Sequence, residues 1–176
     1  MHMFYYTEYD TSLGDVFGPL ILISEDDKLI GVYTDGQRQI LDTFGLRLVK
    51  NDEYPVLKQT IAWLDSYFSG NRNLKITDLP LAPKGNEFRQ LVWQELGKIP
   101  YGQTTTYGEI AKKVAAKMGK KAMSAQAVGG AVGHNPIGII IPCHRVIGKD
   151  GRMVGYAGGL FRKIMLLKHE GINLSQ

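Results

Sequence analysis

The early part of the chain holds short apolar, β-rich runs, the first of them loosely alternating, and the later part repeats apolar residues at helical spacing. Phe4–Tyr9, Leu20–Ser24 and Leu29–Tyr33 are short β-rich runs. Turn residues in Gly14–Pro19 and a polar step at Glu25–Lys28 separate them. This pattern predicts an antiparallel β-meander. After a polar lead-in at Asn51–Tyr54, Pro55 suits the first turn of a helix, where its missing N–H costs nothing. Leu57, Ile61, Leu64 and Phe68 then recur on one predicted face, and Gly70 is a stop signal. Leu79–Gly85 holds two prolines and a glycine, so we expect a first domain over 1–80 and a second over 81–176.

From Asn86 the pattern is helical, with Phe88, Leu91, Val92 and Leu96 together and Gly97 and Pro100 closing the segment. Trp93 fits two places equally, the partner domain or an ordinary core. Thr106 and Glu109 form a T-x-x-E capping box. Ile110, Ala111, Val114, Ala115 and Met118 supply the apolar stripe behind it, with Lys112, Lys113 and Lys117 largely opposite. Ser124 is a plausible cap for a second helix, AQAVGGAVG, which Gly129 and Gly130 weaken intrinsically. Such a helix suits close approach of a backbone, either DNA or another helix. The pair looks like a helix-turn-helix with a long connection, Ala116–Met123. A second helix of Ala, Val and Gly offers few hydrogen bonds to base edges. It suits shape-based contact, including the minor groove, with little sequence specificity. Leu160–His169 reads as a last helix with Leu160, Ile164 and Leu167 on one side, ending at Glu170 and Gly171.

Charge sharpens the two-domain reading. Residues 1–83 carry 7 Lys/Arg against 12 Asp/Glu, and residues 84–176 carry 14 against 5. The basic half is the expected partner of a polyanion. With 176 residues the chain allows one domain or two small ones. No 18-residue apolar stretch predicts a membrane span, and the N-terminus has no signal-peptide pattern. A single cysteine, Cys143, excludes an internal disulfide and a cysteine-based metal cluster, and a reduced, cytoplasmic setting is expected.

That cysteine sits in Ile137–Val146, IGIIIPCHRV, where an apolar run stops at Pro142. His144 and Arg145 follow directly, and cationic neighbours favour the thiolate, the reactive form. A lone cysteine is most often a small buried hydrophobe. The proline break and the basic neighbours instead make it a candidate nucleophile. The later segment GKDGRMVGYAGG fits a pocket wall or a wing, and it lacks both common phosphate-binding glycine patterns.

Pro142-Cys143-His144-Arg145, with Asn135-Pro136 upstream, YAGGL over Tyr156–Leu160 and H-E-G at His169–Gly171, resembles the methylated-DNA–protein-cysteine methyltransferase family. These are the O6-alkylguanine-DNA alkyltransferases. Residues 86–171 resemble the family's active-site domain and residues 4–70 its more variable N-terminal domain. The resemblance implies an α+β fold: a small ribonuclease-H-like N-terminal domain with a β-meander, and a mainly helical, winged-helix-like C-terminal domain carrying a helix-turn-helix. It implies direct reversal of DNA damage, with irreversible single-turnover transfer of an alkyl group from O6 of guanine, and less efficiently O4 of thymine, to Cys143. It implies binding to double-stranded DNA mainly through the minor groove and with low sequence specificity. No cofactor, metal or membrane is implied, and the family usually acts as a monomer.

The site roles carry over in the same way. His144 would activate Cys143 through a bound water, Glu170 would hold His144, and Asn135 would secure the active-site turn. Tyr107 would protonate guanine N3 and assist base flipping, which delivers O6 to a buried cysteine. Tyr156, Val146, Met153, Gly158 and Gly159 would line the base pocket. Thr106, Ser124, Gln126, Ala127, Gly130 and Arg145 would form the DNA-facing set, Arg145 in a largely structural capacity. The chain departs from the family at Gln126, where an intercalating arginine is common, and in the longer connection between the two helices. These departures motivate an alternative, a non-catalytic binding protein for alkylated DNA, against which Cys143 itself argues.

Overall fold

The computed structural model describes residues 1–174. β1 (Phe4–Tyr9), β2 (Leu20–Glu25) and β3 (Lys28–Thr34) form the predicted antiparallel meander, with Tyr9 opposite Leu20 and Leu20 opposite Thr34. A fourth strand, β4 (Leu48–Lys50), lies parallel to β1, giving the order β3-β2-β1-β4. Its three residues carry no alternation of their own, so only the pairing with β1 reveals it. Between β3 and β4, Asp35–Arg47 runs as 3-10 turns broken at Gly45, whose φ is 58°.

The helix predicted from Pro55 is α1 (Pro55–Phe68). Of the predicted face, Leu57, Leu64 and Phe68 are buried and Ile61 is half-buried; Val56, Thr60, Trp63 and Tyr67 widen it. Thr60 is tolerated there because its hydroxyl donates to the Val56 carbonyl at 2.8 Å, so no polar group is left unpaired. Leu79–Ala82 is not free linker. Leu29 N–H donates to Pro80 O and Ala82 N–H to Leu29 O, both at 2.9 Å. The first compact unit therefore runs to Lys84, four residues past the expected division, and the second starts at Gly85.

In the second unit Asn86 caps α2 (Glu87–Leu96), its side chain accepting from Arg89 N–H at 2.9 Å. α2 packs on α3 (Tyr107–Lys117) and α4 (Ala125–Gly133) through Val92, Leu96, Ile110, Val114, Val128 and Val132, all buried. Trp93 belongs to this core: its indole N–H donates to Ala131 O at 2.9 Å. Glu95 is 3% exposed yet charged, held by Lys98 and Lys117 at 2.8 Å each, so α2 is tied to the end of α3. Thr106 Oγ accepts from Glu109 N–H at 3.2 Å, while the Glu109 carboxylate turns to Lys112 at 3.0 Å.

α3 ends at Gly119, whose φ of 65° allows the closing bonds from Gly119 N–H to Ala116 O and from Lys120 N–H to Ala115 O. Residues 120–123 then lead to Ser124, which caps α4 through its Oγ at 2.9 Å from Ala127 N–H. A two-residue parallel ladder, β5 (Thr105–Thr106) with β6 (Val146–Ile147), joins the start of α3 to the chain after Cys143. The last helix is α5 (Leu160–His169). Its inward face is Lys163, Leu166 and Leu167, and Leu160 is 44% exposed, which corrects the predicted stripe. The protein is thus a mixed α+β chain with an N-terminal sheet unit and a helical C-terminal unit.

Candidate active site

The apolar run before Cys143 forms a tight buried turn rather than a strand. Ile137, Ile139, Ile140 and Ile141 are at most 3% exposed, and Ile139 has φ 68°. A β-branched residue in this region carries strain of about 1–3 kcal/mol. Asn135 holds the turn in place. Its side-chain oxygen accepts from Ile137 N–H at 3.1 Å and its amide donates to Ile141 O at 2.8 Å. Cys143 N–H also donates to Ile141 O at 2.8 Å, so the turn and the cysteine share one anchor.

Cys143, His144 and Arg145 form a single 3-10 turn, all buried. Burial pushes the Cys143 thiol up from its ordinary value. A hydrogen bond from Asn135, the Lys163 charge and the local amides of Cys143 and His144 oppose that without overcoming it. The resting residue is therefore a thiol that needs a base.

His144 is the neighbouring titratable side chain. The ring is fully buried, and burial lowers its pKa more than Glu170 raises it, so it is neutral. Its Nε2 lies 2.7 Å from Glu170 Oε1. Since the carboxylate is ionised, the proton on this ring sits at Nε2 and Nδ1 carries the lone pair. Nδ1 is buried without a hydrogen-bond partner among the described residues. It carries a desolvated lone pair on the residue that follows the thiol.

Glu170 is fixed as firmly as it fixes His144. Arg145 Nε donates to its Oε2 at 2.9 Å, Arg145 Nη2 to its Oε1 at 2.9 Å, and Gly102 N–H to its Oε2 at 3.0 Å. Burial alone would raise this carboxyl, but hydrogen bonds and charge from His144 and Arg145 hold it far below the usual carboxylate range. Arg145 Nη1 is taken by Ile99 O at 2.6 Å and the residue is 8% exposed. Its assignment to the DNA-facing set is therefore corrected: the guanidinium is spent inside the protein, orienting Glu170.

A cavity of about 120 Å³ opens onto Cys143. Tyr107 from the start of α3 and Gly129, Val132 and Gly133 from α4 form one side. Gly155, Tyr156 and Ala157 of the glycine-rich loop form the other. A side chain at Gly129 would reach within 3.8 Å of the Tyr107 ring, so the glycine keeps this space open. The Tyr107 hydroxyl donates to Val154 O at 3.2 Å, and burial and the nearby Cys143 hold it in the protonated form.

Five expected residues thus converge: Cys143, His144, Glu170, Asn135 and Tyr107, with Tyr156 in the wall. Val146, Met153, Gly158 and Gly159, expected to line the pocket, do not border it. Val146 O accepts from Lys163 at 2.5 Å, Gly158 O accepts from Arg162 at 2.7 Å, and Gly159 caps α5 at φ 93°. Of the DNA-facing set, Thr106 and Ser124 spend their hydroxyls on helix caps, and Gln126, Ala127 and Gly130 are exposed on α4.

Lys163 was not anticipated. It has no exposed surface, and its ammonium donates to Val146 O at 2.5 Å, Val154 O at 2.8 Å and Gly155 O at 3.3 Å. It ties the strand after the cysteine to the pocket wall and shares the Val154 carbonyl with Tyr107. Burial draws its pKa down to about 8, with Cys143 opposing. The available signal was positional: Lys163 shares the i, i+3, i+4, i+7 face of Leu166, Leu167 and Glu170.

Fold and site define a class, a cysteine-centred transferase with a neutral histidine held by an ionised glutamate behind its thiol and a helix pair beside its pocket. Comparison with known proteins makes this particular. Residues 87–172 match the profile described as 6-O-methylguanine DNA methyltransferase, DNA binding domain, and residues 4–83 match its ribonuclease-like domain. A methylated-DNA–protein-cysteine methyltransferase of Methanosarcina acetivorans is 41% identical over 95% of this chain and 98% of its own. One of Haemophilus influenzae is 36% identical over 98% and 89%. Among solved structures, the O6-methylguanine methyltransferase of Mycobacterium tuberculosis superposes with TM-score 0.75 at 36% identity, covering 96% of this chain and 93% of that one. The same protein solved in complex with DNA superposes with TM-score 0.75 over 96% and 92%. The chain belongs to the methylated-DNA–protein-cysteine methyltransferase family. Among the described residues no helix is long and apolar enough to cross a membrane.

Proposed function

We propose that this chain reverses alkylation damage in double-stranded DNA by moving the alkyl group from O6 of a flipped-out guanine to Sγ of Cys143. The observation that carries this reading is the alignment of three features: a buried thiol on an open cavity, a neutral His144 whose Nδ1 is free, and Glu170 locked behind it. His144 Nδ1 takes the thiol proton through an intervening water, and Glu170 stabilises the imidazolium that results. The thiolate attacks the alkyl carbon in line with the C–O bond. That bond breaks, its electron pair stays with guanine O6, and Tyr107 protonates guanine N3. Restored guanine leaves and S-alkylcysteine remains. A thioether has no good leaving group, so each molecule acts once.

Substrate and setting follow from the same chemistry. O4-alkylthymine presents the same alkyl–oxygen bond in a smaller base and is the weaker substrate. Gln126, Ala127 and Gly130 form a bare, small-residue surface on α4 that fits a minor groove, with little sequence specificity. The C-terminal unit carries DNA binding and chemistry, the N-terminal unit supports it, and the protein acts as a monomer. A reducing compartment, the cytoplasm, keeps Cys143 in the form the reaction consumes.

Intact mass after incubation with duplex containing O6-methylguanine tests this. One methyl replacing the thiol hydrogen adds about 14 Da, expected on wild type and absent from Cys143→Ser. Retained DNA binding without the mass gain would overturn the repair reading and leave a recognition protein.

A further inference from the structure

The surface around the α3–α4 connection is basic in a way the active site does not use. Between Glu95 and Asp150 the only acidic residue is Glu109. Glu109 is already paired with Lys112 at 3.0 Å, and Lys117 is committed to the buried Glu95 at 2.8 Å. That leaves Lys113, Lys120 and Lys121, all exposed, with no carboxylate at ion-pair distance among the described residues. The backbone displays these lysines in a fixed place. The left-handed Gly119 ends α3 and turns the chain, Lys120 N–H is held by Ala115 O at 2.9 Å, and Ser124 then starts α4. Lys120 and Lys121 therefore stand directly before the first turn of α4, whose exposed face holds Gln126 and Ala127. The helix itself, AQAVGGAVG, carries no charge. A helix that meets a polyanion without a cation of its own needs the charge beside it.

We propose that Lys120 and Lys121, with Lys113 in support, form a phosphate-contacting strip that anchors α4 on duplex DNA independently of sequence and of damage. This rests on the DNA-repair reading above and adds to it the residues that supply the electrostatic part of binding. Each lysine that neutralises a phosphate releases condensed counterions, so it sets the salt dependence of affinity rather than the choice of base. Arg145 is buried against Glu170 and Ile99 O, and Lys117, though exposed, is paired with Glu95, so neither supplies this charge.

The test compares wild type, Lys120→Ala/Lys121→Ala, Lys120→Arg/Lys121→Arg and a control of equal charge loss in the N-terminal unit, Lys28→Ala/Lys58→Ala. Affinity for undamaged and O6-methylguanine duplexes is measured across a salt series. For Lys120→Ala/Lys121→Ala the slope of log K against log salt should shrink by about 1.8, at about 0.9 per lost phosphate contact. Affinity near 0.1 M salt should fall roughly 10–60-fold for both duplexes alike. The rate of alkyl transfer at saturating DNA should stay at the wild-type value, and the arginine variant and the control should keep the wild-type slope. An unchanged slope in Lys120→Ala/Lys121→Ala, an equal drop in the control, or a loss confined to damaged duplex overturns the inference. If wild type itself neither binds duplex in a salt-dependent way nor gains mass, the repair reading fails first, and the two failures are distinct.

Discussion

Glu170→Gln changes one atom and one charge at the centre of the site, and the structure gives its cost. Glu170 is 2% exposed and accepts from His144, Arg145 and Gly102 N–H. An amide offers a single acceptor oxygen, and its NH2 group would point at another donor. Arg145, 8% exposed, would keep Ile99 O but lose its carboxylate. Leaving one partner of a buried ion pair uncompensated costs about 3–5 kcal/mol, out of a total stability of about 5–15 kcal/mol for a typical domain. Urea unfolding at pH 7 should show that drop. Adding Arg145→Met to Glu170→Gln should restore at least about 2 kcal/mol of it, because the orphaned charge is gone and the neutral pair is buried instead. Glu170→Gln unfolding within about 1 kcal/mol of wild type, or a double variant worse than the single, would refute the claim that this pair is a mutually dependent buried unit.

The same residue sets a pH dependence. Its folded-state pKa is depressed, so the unfolded chain binds the proton more tightly. The stability it contributes is present above the unfolded glutamate value, about 4.3, and is lost as pH falls below that toward the folded value. Wild type should weaken steeply between about pH 5 and 3, and Glu170→Gln should show a shallower slope there.

Other substitutions separate positioning from packing. Lys163→Met should slow alkyl transfer by about tenfold or more and cost about 2–4 kcal/mol, since it leaves the Val146, Val154 and Gly155 carbonyls without their donor; single-turnover quench and urea unfolding read the two. Asn135→Ala leaves Ile137 N–H and Ile141 O without their partners and should cost about 2–4 kcal/mol, with slower transfer, in the same assays. Gly129→Ala should stabilise α4 by up to about 1 kcal/mol in thermal unfolding, because alanine prefers the helix. Its methyl group also enters the cavity beside Tyr107, so transfer should fall, and a variant both more stable and equally fast would contradict the cavity assignment.

Local signals made much of this protein legible before its structure. The meander follows from loose alternation at Phe4–Tyr9 and the short apolar runs Leu20–Ser24 and Leu29–Tyr33 between turn residues, and the helix starts at Thr106 and Ser124 follow from capping chemistry between residues three apart. Cys143, His144 and Arg145 announce themselves as neighbours. Contacts that join distant segments left no such trace. β4 exists only because it pairs with β1, and Thr60 is tolerated on the buried face of α1 because its hydroxyl finds Val56 O. The resemblance placed Arg145 in the DNA-facing set, in a largely structural capacity. Only the approach of Glu170, 25 residues later, and Ile99 O shows where its charge is spent.

What the sequence by itself determined, then, is the kind of chemistry and the list of parts: one thiol, an adjacent base, an acid near the C-terminus, a basic half and a small-residue helix. These depend on residue identity and short spacing, which a linear pattern carries. The tertiary structure alone decided their states. Burial makes His144 neutral and Cys143 a thiol, convergence of three carbonyls makes Lys163 a tie rather than a surface charge, and the cavity lies between Tyr107 and Gly129 on one side and Gly155 and Tyr156 on the other. Protonation and packing are set by what surrounds a group in space, and those surroundings come from segments that the sequence keeps far apart.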